Sequence, residues 1–183
     1  ADVLKALKER GGMAWVTAND DDVVKLLTEK NVVSVYGGRS ESGRRALGNR
    51  SILADPRFDD MKDIVNERVK HRQWFRPFAP SVMAEDVKDW FEQDLPSPYM
   101  SFVSKFKEDK LKKVPAVVHF DSTARTQTVT AKGNPWYHGI ISKFKEITGV
   151  PMLLNTSFND REPIVETPAD AVNCFLKTNI DYL

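Results

Sequence analysis

Arginine is concentrated in one part of this sequence, between residues 38 and 76. The arginines of this stretch are Arg39, Arg44, Arg45, Arg50, Arg57, Arg68, Arg72 and Arg76. Only Arg10, Arg125 and Arg161 lie elsewhere, and the whole chain is nearly neutral, with 27 Lys and Arg against 26 Asp and Glu. A guanidinium group forms paired hydrogen bonds with phosphate or carboxylate oxygens, and glycines nearby let the backbone approach a ligand. The stretch therefore predicts a site for a small, highly charged anion.

Three polar segments, 39–51, 121–128 and 155–159, each follow a strand-like apolar run and are interpreted as loops. The run from Lys70 to Arg76 adds a fourth, cationic element. If these segments converge, they offer guanidinium, ammonium, amide, hydroxyl and backbone N–H donors to one ligand. Such fixed donors suit phosphoryl oxygens and stabilise charge that develops in a transition state.

Surface ion pairing is the alternative explanation for the arginines. It accounts well for Arg57 and Arg68, which have acidic neighbours in the sequence. It accounts poorly for Arg45 and Arg76, which are followed by Ala-Leu-Gly and Pro-Phe-Ala-Pro. These two arginines are therefore the stronger candidates for ligand binding.

Other familiar chemistries lack their motifs in this sequence. It contains neither a Gly-x-x-x-x-Gly-Lys-Ser/Thr phosphate loop nor a Gly-x-Gly-x-x-Gly after a strand. His71, His119 and His138 lack the spacing of metal ligands, so we expect structural or surface roles and no metal site. Cys174 lies on the apolar face of the last expected helix and is interpreted as a core residue.

Three aromatic residues, Trp74, Phe75 and Phe78, alternate with basic residues and prolines. Aromatic rings between cations can stack on nucleic-acid bases. Rings beside prolines more often form a packed, rigid corner, which is the interpretation we favour. The nearly neutral net charge also argues against extended nucleic-acid binding.

The pattern of apolar residues predicts one α/β domain. With 183 residues, 41% hydrophobic and 29% charged, the chain has the size and composition of a globular domain. We expect helices at 2–10, 58–69, 84–91 and 135–148, a further helix that begins at the caps of residues 19–22, and a last helix that begins at 167–170. We expect strands at 32–36, 51–54, 81–83, 99–106, 114–120 and 151–154. We expect an extended segment at 13–18.

The cellular location is predicted from features that the sequence lacks. No apolar run is long enough to cross a bilayer, and no basic-then-apolar leader opens the chain. The single cysteine cannot form an internal disulfide, which favours the reducing cytoplasm.

Four long motifs together resemble one known family. They are Gly38 to Arg57 (GRSESGRRALGNRSILADPR), Val69 to Pro80 (VKHRQWFRPFAP), Ala124 to Val129 (ARTQTV) and Leu154 to Asn159 (LNTSFN). In this order they resemble the C-terminal domain of the O-carbamoyltransferases of nodulation-factor and antibiotic biosynthesis. The resemblance covers nearly the whole chain from about residue 20.

The resemblance implies a YrdC-like α/β fold, an open twisted mixed sheet flanked by helices. It also implies an enzyme that makes carbamoyl adenylate from carbamoyl phosphate and ATP, with Mg²⁺ bound to the ATP. In this family an N-terminal domain related to actin-like ATPases then transfers the carbamoyl group to a hydroxyl acceptor. We accordingly interpret 20–183 as the carbamoyl-activating domain and 1–19 as a lead-in from a missing upstream domain. A YrdC-like module that binds nucleotide or RNA without catalysis is the alternative.

The resemblance also implies which residues form the site. The family's anion-binding positions correspond to Arg45, Lys70, Arg76, Arg125, Asn155 and Ser157. As a hypothesis, the first three bind carbamoyl phosphate as catalytic residues, and the last three orient the nucleotide phosphates.

Two positions depart from the family pattern. Arg44 stands where the family usually has proline, and 159–163 is shorter than its counterpart. Both lie next to expected site residues, so we expect them to affect how the substrate fits.

Overall fold

A mixed five-stranded sheet organises the computed structural model, which describes residues 2–11, 14–41, 43 and 45–183. In spatial order its strands are β1 (Val33–Tyr36), β2 (Arg50–Ala54), β7 (Met152–Ser157), β3 (Ala79–Met83) and β6 (Gln127–Val129). All neighbours are antiparallel except β3 and β6, which are parallel. The short strands β4 (Val103–Lys105) and β5 (Thr123–Arg125) pair separately. The expected mixed α/β fold in one domain is confirmed.

Strand β7 lies in the middle of the sheet, between β2 and β3. Its first three residues, Met152, Leu153 and Leu154, are completely buried and apolar. Asn155 follows them, opposite Leu53 of β2 and Ala79 of β3. Polar residues at the end of a buried central strand are held between two neighbours, so their positions are well defined.

The longer helices are α1 (Asp2–Arg10), α2 (Asp20–Thr28), α5 (Pro135–Thr148) and α6 (Pro168–Lys177). Helices α2 and α6 begin at the capping boxes of Asn19 and Thr167. Helix α5 begins with Pro135 after Asn134, whose side chain accepts from the N–H of Tyr137. It ends at Gly149, whose φ of 74° favours glycine. These caps explain why the three helices begin where the sequence predicted.

Two expected helices are shorter and less regular than predicted. The expected helix 58–69 is α3 (Met61–Ile64) followed by a π-helical turn, Val65–Val69. The expected helix 84–91 is a 3₁₀ turn, Ala84–Asp86, followed by α4 (Val87–Trp90). In both cases a non-α turn is joined to a single turn of α-helix.

The expected strand at 114–120 is wrong, because this segment contains the 3₁₀ turn Pro115–Val117. Another 3₁₀ turn, Glu108–Lys113, precedes it where a loop was expected. Val114, Ala116 and Val117 are buried as an apolar run predicts, but Pro115 has no N–H to donate to a sheet. The expected strand 99–106 is confirmed only over β4, and the described part of 13–18 contains no strand.

Two of the expected loops are partly strands. Segment 121–128 contains β5 and the start of β6, and 155–157 completes β7. Arg125, Asn155 and Ser157 therefore project from strands, which hold a side chain more firmly than a loop does. Arg44, the departure from the family pattern, lies outside the described residues. No helix in the described ranges is long and apolar enough to span a membrane.

Candidate anion-binding site

A cleft of about 120 Å³ opens where β7, β3 and β5 approach the loop between β1 and β2. Its polar lining residues are Arg45, Arg72, Arg125, Asn155, Thr156 and Ser157, and its other lining residues are Ala46, Pro77, Phe78, Ala79 and Met100. Three guanidinium groups thus share the cleft with amide and hydroxyl groups, and its described lining contains no carboxylate. This set of side chains is suited to a small anion with several oxygens.

Asn155 joins β7 to the loop that carries Arg45. Its side-chain Nδ2 lies 3.0 Å from the carbonyl oxygen of Ala46, to which it donates. The same nitrogen lies 2.9 Å from Ser81 Oγ and 2.9 Å from Gln127 Oε1. Asn155 is 1% exposed, so these hydrogen bonds form away from water and fix the loop firmly.

Glu41 and Gln127 fix the backbone of the same loop from two sides. Glu41 Oε1 accepts from the backbone N–H groups of Leu47, Asn49 and Arg50, at 2.9, 2.7 and 3.2 Å. Gln127 Nε2 donates to the carbonyl oxygen of Leu47 at 3.0 Å. Side chains therefore replace regular secondary structure in holding this segment, and Arg45 projects into the cleft from a fixed backbone.

Gly48 lets the loop pack closely on helix α5. Its φ is +116°, and a Cβ at this position would lie 2.5 Å from Cδ1 of Tyr137 and 2.9 Å from Nδ2 of Asn134. Both the backbone conformation and the contact therefore require glycine here. The same loop also contributes Gly48 and Asn49 to a larger, mainly apolar groove of about 500 Å³ beside Trp136.

Arg125 lies in β5 opposite Val103 and lines the same cleft as Arg45. Partial burial, and then the charge of Arg45, lower the pKa of Arg125. Its Nε is buried and has no hydrogen-bond partner within the described part of the chain. An anion between the two guanidinium groups would satisfy this donor and relieve their mutual repulsion.

Arg72 is the cleft residue that the sequence interpretation did not select. Its Nε donates to Asn66 Oδ1 at 2.7 Å, and its guanidinium carbon lies 4.7 Å from the centre of the Phe78 ring. Burial, and then the charge of Arg76, lower the pKa of Arg72. The sequence shows that the run around Arg72 is basic, but nothing in the sequence alone indicates which of its arginines points inward.

Arg76, which was selected, is exposed and does not line the cleft. Its Nε donates to Gln73 Oε1 at 3.3 Å. Because its charge affects the pKa of Arg72, it lies near the cleft residues, outside the cleft itself.

Lys70 lies behind the end of β7 and not in the cleft lining. Its Nζ donates to the carbonyl oxygens of Ser157 and Asn159, both at 2.7 Å, and to Asn159 Oδ1 at 2.7 Å. Ser157 Oγ donates to the same Oδ1 at 2.7 Å. Burial, and then the charge of Arg72, lower the pKa of Lys70 to about 7. In this arrangement Lys70 holds Ser157 in place from behind.

The other sequence expectations have mixed outcomes. Arg57 forms the expected ion pair, with its Nη2 2.6 Å from Asp55 Oδ2. Cys174 is buried, as expected. The expected packed aromatic corner is wrong for Trp74 and Phe75, which are 66% and 58% exposed, and only Phe78 is buried. The aromatic run is therefore divided between the core and the surface.

The histidines make polar contacts at or near the surface. His71 Nδ1 lies 3.1 Å from Asp160 Oδ2, and His138 Nε2 lies 2.7 Å from Glu85 Oε1. The described residues contain no group of three or more His, Cys, Asp or Glu side chains able to hold a metal ion.

Comparison with known proteins gives one consistent family. Residues 24–183 match the family model described as "Carbamoyltransferase C-terminus". The chain is 52% identical over 173 residues to the nodulation protein NolNO of Sinorhizobium fredii, covering 89% of this chain and 25% of that protein. It is 50% identical over 158 residues to the nodulation protein NolO of Bradyrhizobium diazoefficiens, covering 83% of this chain and 28% of that protein. The chain thus spans about a quarter of the length of these relatives.

A solved structure has a similar fold. The crystal structure of full-length HypF, in its phosphate- and nucleotide-bound form, matches with a TM-score of 0.61. The match covers 91% of this chain and 24% of the HypF chain, at 21% identity. At this identity the likeness supports the fold alone.

Proposed function

Because this chain belongs to the family of carbamoyltransferase C-terminal domains, we propose that it is the carbamoyl-activating part of a larger carbamoyltransferase. The observation that carries the proposal is the convergence of Arg45, Arg72 and Arg125 on one cleft. Carbamoyl phosphate and the phosphates of ATP repel each other, so bringing them together requires several fixed cations.

Carbamoyl phosphate is the ligand that we assign to the cleft. A cleft of about 120 Å³ is smaller than the roughly 300–1,000 Å³ typical of sites for larger ligands, and suits a compact anion. Arg45, Arg72 and Arg125 bind its phosphoryl oxygens, and the ATP extends outward so that its phosphates meet Arg125 and Ser157. Asn155 and Lys70 support these contacts from behind, and Arg76 attracts the anions from outside.

The proposed reaction has two steps. Hydrolysis of carbamoyl phosphate consumes one water and gives carbamate and phosphate. A carbamate oxygen then attacks the α-phosphorus of ATP, the bond from this phosphorus to the bridging oxygen breaks, and pyrophosphate leaves. The arginines stabilise the charge that develops on the phosphoryl oxygens, and removal of one such donor typically costs about 3 kcal/mol of barrier.

Mg²⁺ enters this proposal with the nucleotide. The described cleft lining is cationic and amide-bearing, which does not fit a dedicated protein site for a divalent cation. Mg²⁺ usually keeps several waters and binds substrate phosphates, and it would shield their charge here.

Transfer to the hydroxyl acceptor is assigned to the rest of the larger protein. Exposed apolar side chains flank the cleft residues in the sequence and support a docking surface beside the cleft. Trp74 and Phe75 lie between Arg72 and Pro77, Phe102 follows Met100 closely, and Val103 pairs with Arg125. A domain bound there would cover the cleft and receive the activated carbamoyl group without release into water.

The test is the release of pyrophosphate from ATP, measured with and without carbamoyl phosphate in the larger carbamoyltransferase that contains this chain. We expect release only when both substrates are present, and a loss of about 100-fold or more in Arg125→Ala. Arg39→Ala is the matched control, because Arg39 is exposed in the same loop and does not line the cleft. Release that is independent of carbamoyl phosphate, or equal in both variants, contradicts the proposal.

A nucleotide- or RNA-binding module without catalysis is the second candidate, because three guanidinium groups in one cleft suit phosphate binding with or without a reaction. It predicts binding without pyrophosphate release. For an extended nucleic acid, affinity would fall steeply with salt, in proportion to the phosphates neutralised. The formal net charge of +1 does not favour this candidate.

A further inference from the structure

Asn66 is a completely buried polar residue in the π-helical turn Val65–Val69. Val65 and Val69 of the same turn are buried in the hydrophobic core. A π-helical turn costs stability relative to a regular α-helix and is frequently found at functional sites. Asn66 does not line the cleft, so its place in this turn needs a separate explanation.

The side-chain hydrogen bonds of Asn66 all go to the basic segment that follows the turn. Its Nδ2 donates to the carbonyl oxygens of Trp74 and Arg76, at 3.1 and 3.0 Å. Its Oδ1 accepts from Arg72 Nε at 2.7 Å, and its backbone carbonyl accepts from Arg72 N at 3.1 Å. One side chain thus fixes residues 72, 74 and 76 relative to the core.

This arrangement determines how Arg72 meets the cleft. Asn66 Oδ1 fixes the Nε edge of the guanidinium group, and the Phe78 ring lies 4.7 Å from its central carbon. The two terminal nitrogens of the guanidinium group take no part in the bond to Asn66, and a phosphoryl group can accept two parallel hydrogen bonds from such an edge.

We propose that Asn66 is a positioning residue, which holds Arg72 in the orientation that binds the phosphoryl group although Asn66 touches no ligand. The inference rests on the proposed function, since it assumes that an anion occupies the cleft. It assigns the π-helical turn a purpose, which is to place a buried amide where it can fix the basic segment.

The ligand test is a double-mutant cycle between Asn66→Ala and Arg72→Ala, with inorganic phosphate as the probe. We expect Asn66→Ala to weaken phosphate binding about tenfold when Arg72 is present, as for a lost charge-assisted hydrogen bond, and to add no loss when Arg72 is absent. An equal loss in both backgrounds overturns the proposal. Thr178→Val is the control for general destabilisation, because it removes a buried hydrogen bond to Cys174 in α6. It should lower the melting temperature and leave the affinity for phosphate unchanged.

A second measurement keeps the inference testable if phosphate does not bind at all, an outcome that counts against the proposed function. The hydrogen exchange of the Arg72 Nε–H is followed by NMR in the unliganded protein. We expect protection in the wild type and in Asn66→Asp, which is isosteric and keeps the acceptor, and loss of protection in Asn66→Ala. Unchanged protection in Asn66→Ala overturns the positioning role, whether or not phosphate binds. In Asn66→Asp, the new negative charge beside Arg72 should still weaken phosphate binding.

Discussion

Asn155 Nδ2 donates to the carbonyl oxygen of Ala46 across 3.0 Å, which connects the centre of the sheet to the loop that carries Arg45. The two residues are far apart in sequence, and the bond is buried. Hydrogen bonds from the strand residues Asn155 and Gln127 to loop carbonyls thus help to position the cleft, together with the contacts of Glu41 within the loop.

Asn155→Asp should destabilise the protein although the shape of the side chain is kept. The carboxylate cannot donate to Ala46, and a buried carbonyl oxygen left without its donor costs about 1–3 kcal/mol. Gln127 Oε1 keeps the hydroxyl of Ser81 as a donor at 2.5 Å. Urea denaturation measures the free energy of unfolding. Asn179→Asp, at an exposed position, is the control and should change it little. Equal effects in the two variants would show that the buried bonds are not important.

Gly48→Ala should be destabilising by about 1–3 kcal/mol, because the added Cβ meets the Tyr137 ring and the φ of +116° disfavours any side chain. Gly139→Ala is the matched control. A Cβ at Gly139 meets no atom within 4 Å, and alanine is the better helix former in α5. The two melting temperatures should shift in opposite directions. A shift of the same sign in both would contradict the close packing of the loop.

Lys70 should make stability depend on pH between about 7 and 10.5. Its pKa falls from 10.5 to about 7 on folding, chiefly through burial, so in this window the unfolded state binds the extra proton. Its contribution to stability therefore rises with pH, by up to about 1.4 kcal/mol per unit, and is constant below pH 7. The measurement is the difference in unfolding free energy between wild type and Lys70→Met at several pH values. If this difference does not change with pH, the three oxygen acceptors keep the ammonium group of Lys70 charged, which contradicts the prediction.

Arg125→Gln should remove anion binding without lowering stability. The variant relieves the repulsion that lowers the pKa of Arg125 beside Arg45, and it removes one donor from the cleft. We expect phosphate to raise the melting temperature of the wild type but not of the variant, as linkage requires for a ligand that binds only the folded state. Arg39→Gln should respond like the wild type. A phosphate response that survives in Arg125→Gln would place the anion elsewhere.

The elements with local signals could be predicted from the sequence. Helices α2, α5 and α6 begin at side-chain caps, and strands β1 and β2 are short apolar runs between polar segments. Four of the six expected site residues, Arg45, Arg125, Asn155 and Ser157, do share one cleft. Their motifs resembled a known family, and that resemblance supplied what local patterns could not.

The remaining features depend on contacts between distant parts of the chain. Which arginine of the basic segment points inward is set by the buried amide of Asn66 and the ring of Phe78, and no periodicity encodes it. Burial alone does not distinguish a strand from the 3₁₀ turn at Pro115–Val117, because both bury an apolar run.

The π-helical turn also determines the direction in which the side chains that follow it point. The N–H of Lys70 bonds to the carbonyl of Val65, five residues back, where an α-helix would use the fourth. Each residue of an α-helix advances the chain by about 100°, so a single deletion within this turn would swing the ammonium of Lys70 away from the end of β7. The number of residues between helix α3 and the basic segment therefore cannot change by even one. The length of this connection matters as much as its composition.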